Sequence, residues 1–386
     1  MAQLTENKIT EFIFDNLEAD PVELLLNPPS AFKKDIDFIA TQIISRKKAQ
    51  GKLPEWASNR SLVLPPPVSI EQASSAITSQ YKKTLMRGRI LVDLTGGTGI
   101  DCLALSESFS ESHFVEADRA LCELFKKNSK ALGHNIHIVN DDAVPYSKKF
   151  EGKAHFYVDP SRRFDSQKRV FLLEDCQPNL TSLIPILLPK ARKILVKLSP
   201  LLDIHYLQEQ FSNIEAIHIL AVKSNCKELL VLIDPAFTGD AKIIASNQGS
   251  EQGAFTFQSR EENLATSTYS APGKYIYEPN VAILKAGAFK LISDKFKLDK
   301  LAPQTHLYTS EKRINRFPGK VFEIIHAKAK RHLKKYAMLN VISRNYPLSA
   351  TELKKRWNIK DGGLNYLLAY TDHHKNKHLT IARRIS

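Results

Sequence analysis

Apolar positions early in the chain recur at helical spacing: Ile36, Ile39, Ala40, Ile43 and Ile44 share one helix face, followed by the basic run Arg46-Lys47-Lys48. Leu64-Pro65-Pro66-Pro67 interrupts that pattern, since proline has no amide hydrogen to give and clashes with the preceding turn. Ser69 with Gln72 three residues on then predicts an N-cap, opening a helix through Ser74, Ser75, Thr78 and Tyr81. From Arg89 the period changes. Short apolar runs at 89–94, 113–116, 136–139, 154–159 and 192–198 predict strands, with helices from about 99, over 118–131 and over 168–187. Such alternation implies a mostly parallel sheet covered by helices on both faces, an α/β architecture. The runs 214–222 and 227–234, separated by Lys223-Ser-Asn-Cys226, predict a hairpin that closes the sheet.

Beyond the hairpin the pattern is less regular. Residues 236–272 are rich in Gly, Ser, Thr and Gln, carry one candidate hairpin around Asn247-Gln-Gly249, and read as an excursion or linker. Tyr275 to about Phe317 is a small mixed segment, and alternating Val321-Phe-Glu-Ile-Ile325 before an expected basic helix Ala327–Lys335 predicts a second α+β unit. The division expected is a helical region at 1–68, the sheet domain at 69–240, a linker at 241–272, a small segment at 273–317 and a basic domain at 318–386.

Charge sharpens that division. Of a net +14, residues 305–386 contribute 18 Lys and Arg against 5 Asp and Glu, a net of +13, leaving +1 for 1–304. Positive charge confined to one segment points to a polyanion-binding module on a neutral body. The first twenty residues carry Glu6, Glu11, Asp15 and Glu18 and lack the basic head and apolar run of a signal peptide. No apolar stretch reaches the roughly 18 residues of a membrane span, so no membrane partner is expected. Cys102, Cys122, Cys176 and Cys226 stand far apart with no Cys-x-x-Cys pair, and the histidines form no His-x-x-x-His, so neither metal nor disulfide is expected and a cytoplasmic location is.

The first candidate chemistry is the loop Asp93-Leu-Thr-Gly-Gly-Thr-Gly99 between a strand and a helix, including Thr95, Gly97 and Gly99. Glycine lets backbone approach a ligand closely and reaches positive φ. A nicotinamide fingerprint requires a third glycine where Cys102 stands, which weakens a dehydrogenase reading. In methyltransferases an acidic strand end and such a turn hold the cationic methionine part of S-adenosylmethionine, a role for which Asp93 is chemically apt. Glu116 ends the next strand about 20 residues after the glycines, the position that chelates ribose hydroxyls. Asp118 reads as a helix cap. Asp142, with Asp141 as fallback, ends the third strand and suits the adenine amine. Ser74, Ser75 and Thr78 are placed to cover the cofactor, and Lys197 and Ser199 to line an acceptor pocket.

The fourth strand ends in Asp159-Pro160-Ser161-Arg162-Arg163. Strand tips at the carboxyl edge of an open α/β sheet bind ligands. Asp159 is expected to orient the acceptor or take its proton, and Arg162 and Arg163 to clamp a phosphate or lie on a base. Together with Lys52-Leu-Pro-Glu-Trp56, Glu71-Gln-Ala-Ser-Ser-Ala-Ile-Thr78, Tyr81-Lys82 and the glycine loop through Asp101, this tip resembles bacterial class I S-adenosylmethionine-dependent methyltransferases with a C-terminal THUMP-like domain. Ser161 stands where their Asp-Pro-Ala-Arg-Arg has alanine. Ile283-Leu-Lys-Ala-Gly-Ala288, Phe317-Pro-Gly-Lys320 and Asp361-Gly-Gly363 extend the resemblance over most of the chain.

The resemblance implies a Rossmann-like, mostly parallel seven-stranded sheet, S-adenosylmethionine as cofactor, a ferredoxin-like segment before the THUMP-like domain, and RNA (tRNA or rRNA) as substrate. Amino-methylating enzymes of nucleic acids usually follow Asp/Asn-Pro-Pro with an aromatic residue. Ser161 and Arg162 stand here instead, leaving ribose or another ring position open as the acceptor. Candidate RNA contacts are Lys328, Lys330, Arg331, Lys334 and Lys335 on one helix and Lys354, Lys355 and Arg356 on another, with Tyr336, Trp357 and Tyr366 nearby for stacking. Two alternatives remain: a non-catalytic RNA-binding protein with a degenerate methyltransferase fold, and a small-molecule methyltransferase.

Overall fold

The computed structural model describes residues 2–162 and 172–385, which fall into two compact units. The first comprises Met1–Leu202 with Gln208–Asn213 and Val231–Phe237, so the N-terminal helices and the glycine-loop sheet form one unit. Its parallel strands are β1 (Gly88–Asp93), β2 (Phe109–Glu116), β3 (His137–Asn140), β4 (Ala154–Val158) and β5 (Ala191–Leu198). Helices α1 (Ala76–Lys83), α2 (Ile100–Ser106), α3 (Arg119–Ala131), α4 (Ala143–Lys149) and α5 (Leu180–Leu187) accompany them. All five strands therefore end at one edge, where Asp93, Glu116, Asn140, Val158 and Leu198 stand.

The predicted hairpin is β6 (Ile214–Val222) and β7 (Asn225–Ile233), joined by two residues and hence antiparallel. The sheet continues beyond it. The stretch expected as a linker contains β8 (Lys242–Gln248), parallel to β6, and β9 (Phe255–Gln258), antiparallel to β8. The order is β9-β8-β6-β7-β5-β4-β1-β2-β3, nine strands where seven were expected. Ser246 and Asn247, on opposite faces of β8, are both buried, so no apolar/polar alternation marks this strand in the sequence.

The helix expected from Ser69 is two helices. Pro67–Gln72 stops at Ala73, and α1 starts afresh behind Ser75. Ser75 and Thr78 exchange a capping box: the Ser75 amide donates to Thr78 Oγ1 (3.0 Å) and the Thr78 amide to Ser75 Oγ (3.2 Å). Of the expected helix 168–187, residues 163–171 lie outside the described residues, and only Leu180–Leu187 is α-helical among the rest.

The second unit contains a seven-stranded sheet of β10 (Tyr275–Pro279), β11 (Asp299–Lys300), β12 (Tyr308–Ser310), β13 (Gly319–His326), β14 (Asn340–Arg344), β15 (Asn365–Thr371) and β16 (Lys377–Arg384), in the order β11-β12-β10-β13-β16-β15-β14. The small segment and the basic domain share this sheet: β10 pairs with β13, and Ile276, Leu301 and Leu307 share a core with Phe322, Leu368, Tyr370 and Ala382. Gly319 sits at the join, where a Cβ would fall 2.1 Å from the Glu278 carbonyl oxygen. The basic segment at 327–335 is two 3-10 turns, Ala329–Arg331 and Leu333–Lys335, in place of the expected helix. An α-helix there would stack Lys330 on Lys334 and Arg331 on Lys335 as like charges four residues apart. Among the described residues no helix is long and apolar enough to cross a membrane.

The N-terminal helices brace α2. Ala49, Leu53, Ala57, Leu62, Leu64 and Ile70 share a buried cluster with Ile100, the first residue of α2. Arg46, part of the predicted basic run, is buried and donates to the carbonyls of Ala57 (2.9 Å), Asn59 (3.1 Å) and Leu62 (2.6 Å). Arg46→Met leaves these oxygens without that donor and is expected to lower stability by about 3 kcal/mol. An unchanged chemical-denaturation midpoint would contradict this role.

Candidate active site and basic face

The glycine loop rests on two stacked rings. Phe114 of β2 and Phe125 of α3 lie parallel with centroids 3.8 Å apart. A Cβ on Gly96 would meet the Phe114 ring at 2.3 Å, and one on Gly99, whose φ is +79°, would meet Phe125 at 2.0 Å. Gly97 differs: its φ is +53°, yet a Cβ there would have only Thr95 O within 4 Å, at 3.7 Å. Two glycines thus serve packing beneath the loop, and Gly97 marks where the backbone stands open to a ligand.

Carboxylates fix this loop at both ends. Asp93 Oδ1 accepts from the Thr95 amide (3.0 Å), while Thr95 Oγ1 accepts from the Asp159 amide (2.6 Å), tying the loop to the tip of β4. Glu116 accepts from the Gly97 amide at Oε2 (2.8 Å) and from the Asp118 amide at Oε1 (2.9 Å). Each Glu116 oxygen retains a further lone pair for a ribose diol. Asp118 caps α3 through Ala120 and Leu121. Asn140 Nδ2 donates to the carbonyls of Glu116 and Ala117, holding the β2 and β3 ends together. Asp142 is exposed and makes no side-chain cap bond at the start of α4, whereas Asp141 pairs with Lys149 at 3.3 Å. The Thr78 hydroxyl is engaged in its capping box.

Next to the loop lies a polar network centred on Asp101. Asp101, on the first turn of α2, accepts from Lys82 Nζ at Oδ1 (3.0 Å), and from Tyr157 OH (2.6 Å) and Ser74 Oγ (2.7 Å) at Oδ2. Lys82 is fully buried and also donates to Ser74 Oγ at 2.8 Å. Lys197 of β5 bonds Asp159 Oδ2 at 2.6 Å and lies 3.9 Å from Asp101 Oδ2. Burial alone would raise the Asp101 pKa, but Lys82 and Lys197, aided by Tyr157 and Ser74, hold it well below the usual carboxylate range. Lys82 sits in Tyr81-Lys82-Lys83, which reads as a solvated charge run, so its burial was not legible.

The β4 tip continues as Ser161–Arg162, paired antiparallel with Cys176–Gln177. Pro160 is half-buried at the turn, and Arg163 lies outside the described residues.

In the second unit, helix α6 (Ala350–Trp357) and the two 3-10 turns cover the same face of the sheet: Leu353, Ala329 and Leu333 share one cluster with Leu367, Ala369, Leu379 and Ile381. That packing puts the exposed Lys328, Lys330, Arg331, Lys334, Lys335, Lys355 and Arg356 on one face. Lys354 is paired with Asp361 at 2.6 Å. Tyr336 and Trp357 pack on that same cluster, and Tyr366 lies edge-on to Phe322 in the core on the other side of the sheet. All three rings read as stacking partners are half-buried against a core cluster.

Comparison with known proteins agrees with this organisation. A ferredoxin-like domain family matches residues 275–318, and a THUMP domain-like family matches 319–384. An uncharacterized S-adenosylmethionine-dependent methyltransferase of Mycobacterium tuberculosis (strain H37Rv) is 24% identical over 274 residues, 69% of this chain and 72% of the relative. A solved structure from Porphyromonas gingivalis W83, assigned as a methyltransferase, is 33% identical over 98% of each chain, with a TM-score of 0.88. The fold is that of a class I methyltransferase. The chain belongs to the family of S-adenosylmethionine-dependent methyltransferases that carry a ferredoxin-like and a THUMP-like domain toward the C-terminus.

The residues at the carboxyl edge fit that cofactor. The open backbone at Gly97, the spare lone pairs of Glu116, the uncapped Asp142 and the buried Asp93 carboxylate match, in turn, a close-approaching chain, a ribose diol, an adenine amine and a positive charge. Burial raises the Asp93 pKa well above its ordinary value, with Asp101, Asp159 and Glu116 adding to the rise and the Thr95 amide opposing it. Its folded pKa thus exceeds its unfolded one, so its contribution to the stability of the ligand-free protein is present at low pH and lost as pH rises through the raised pKa. A cation beside Asp93 favours the ionised form. Affinity for S-adenosylmethionine is therefore expected to increase as pH rises from the ordinary carboxylate range, with proton release on binding, and Asp93→Asn is expected to bind roughly 10-fold weaker and to lose that dependence. Calorimetry in buffers of different ionisation enthalpy measures both, and a pH-independent affinity in the unaltered protein would refute the linkage.

Proposed function

We propose that this methyltransferase acts on RNA, tRNA or rRNA, anchoring it through the basic face of the C-terminal domain and serving the acceptor at Asp159-Pro160-Ser161-Arg162-Arg163. The observation that carries this reading is the shared cluster beneath α6 and the 3-10 turns, which gathers seven exposed cations on one sheet face. Phosphate binding is governed by such gathered charge, whereas lysines scattered around a domain only solvate it. The resemblance of this domain to THUMP domains, found in RNA-modifying enzymes, points the same way.

In this reading, Glu116 holds the ribose of the cofactor, Asp142 its adenine amine, the Thr95–Gly99 backbone its methionine chain, and Asp93 balances its charge. The cofactor, when bound, supplies an electrophilic methyl group on a sulfonium. Asp159, held by Thr95 at its amide and Lys197 at its carboxylate, faces the acceptor. Pro160 limits the freedom of the tip, and Arg162 and Arg163 serve the phosphate or base of the target nucleotide.

The basic face has a direct test in the salt dependence of RNA binding. The unaltered protein is expected to bind total cellular RNA with log Kd depending steeply on log salt. Reversing Lys330, Arg331 and Lys334 to glutamate is expected to weaken binding at least 10-fold at about 0.15 M salt and to lower the slope by roughly 2 to 3. Filter binding measures both quantities, and a variant with the original affinity and slope would remove the basic face from the account.

A further inference from the structure

At the tip of β4 a carboxylate and an ammonium form one partly open pair. Asp159 Oδ2 and Lys197 Nζ are 2.6 Å apart, with side chains 34% and 13% exposed. Behind them Asp101 is engaged by Lys82, Tyr157 and Ser74 and lies 3.9 Å from Lys197, so charges alternate as Lys82, Asp101, Lys197, Asp159. Among the described residues Asp159 Oδ1 has no hydrogen-bond partner. Tyr157, the aromatic residue two before Asp159, is buried with its hydroxyl committed to Asp101. It offers no plate on which a displaced base would stack.

Acceptors differ in the charge they develop. An exocyclic amine or a ring nitrogen becomes more positive as its bond to the methyl carbon forms, and an ammonium alongside opposes that change. A hydroxyl oxygen must lose a proton and becomes more negative before the new bond is complete. It is best served by a carboxylate that takes the proton and a cation that faces the oxygen. Within an RNA chain the free hydroxyl of each internal nucleotide is the ribose 2′-OH.

We propose that the methyl acceptor is a ribose 2′-hydroxyl, with Asp159 Oδ1 receiving its proton and Lys197 Nζ facing its oxygen. Asp101 and Lys82 are positioning residues that act through Lys197. The proposal rests on the reading of RNA as substrate. In the transfer, the ribose oxygen forms a C–O bond to the methyl carbon as the C–S bond breaks with its electron pair remaining on sulfur. The hydroxyl proton passes to Asp159 and then to solvent, and no further reactant is needed.

The test incubates full-length protein with tritiated-methyl S-adenosylmethionine and total RNA from cells lacking the gene, followed by alkaline hydrolysis. A 2′-O-methyl group blocks cleavage of the neighbouring phosphodiester, so the label is expected in alkali-stable dinucleotides. Label in mononucleotides overturns the ribose assignment and leaves the RNA methyltransferase reading standing. RNA that takes up no label, from protein that binds S-adenosylhomocysteine, overturns both. Lys197→Met is expected to lower kcat roughly 10²–10⁴-fold with KM for RNA and calorimetric affinity for S-adenosylhomocysteine near those of the unaltered protein. Lys197→Arg, which keeps a cation in the pair, is expected to fold, to bind S-adenosylhomocysteine and to show an intermediate kcat. Full kcat in Lys197→Met, or a loss in either variant confined to KM, overturns the role given to Lys197.

Discussion

A carboxylate removed from water has to be met by charge and hydrogen bonds from every side, and Asp101 imposes that requirement on four elements at once. Lys82 and Ser74 come from α1 and the turn before it, Tyr157 from β4 and Lys197 from β5. Removing one partner of such a buried set leaves an uncompensated charge, costing about 3–5 kcal/mol, so the elements are held in mutual register. Asp101 follows the glycine loop by two residues and thereby fixes the loop's far end, as Asp93 and Thr95 fix its near end. Gly97 is left as an open stretch of backbone between two anchored ends, a preorganised arrangement suited to binding a ligand without reordering the loop.

The same constraint joins the glycine loop to the tip of β4. Thr95 reaches Asp159 through its hydroxyl, and Asp101 reaches it through Lys197. In the proposed reading the methyl donor and the acceptor carboxylate are thus referenced to one buried network, which serves a displacement whose rate depends on holding two reacting atoms in line. The second unit obeys a different economy of charge. The cations of the 3-10 turns and of α6 stand exposed over an apolar cluster, apart from the half-buried Lys354, and Glu278, buried between Lys320 and Arg344, ties β10, β13 and β14 together.

Much of this was legible in the sequence, for identifiable reasons. The alternation of strands and helices, the hairpin and the loop Asp93–Gly99 follow from period and glycine spacing; Asp93 and Glu116 end their strands, while Asp142 and Asp159 follow theirs by two residues and one. What stayed hidden depends on tertiary packing. Lys82 looks like one of a pair of solvated lysines until α1 is laid on α2 beside Asp101. β8 looks like linker because Ser246 and Asn247, on opposite faces of the strand, are both polar and both buried. The segment 327–335 has helical composition, but the stacking of like charges, together with the need to bury Ala329 and Leu333, leaves it as two short turns. Tyr336 and Trp357 show another effect of packing: their position among basic residues is legible in the sequence, but that each rests half-buried on the core beneath is not.

The central claim is that this methyltransferase modifies RNA, and nucleoside mass spectrometry of total cellular RNA with and without the gene tests it most directly. The account predicts one methylated nucleoside absent, or sharply reduced, from the cells lacking the gene and restored when the gene is returned. An unchanged set of methylated nucleosides in tRNA and rRNA would contradict it.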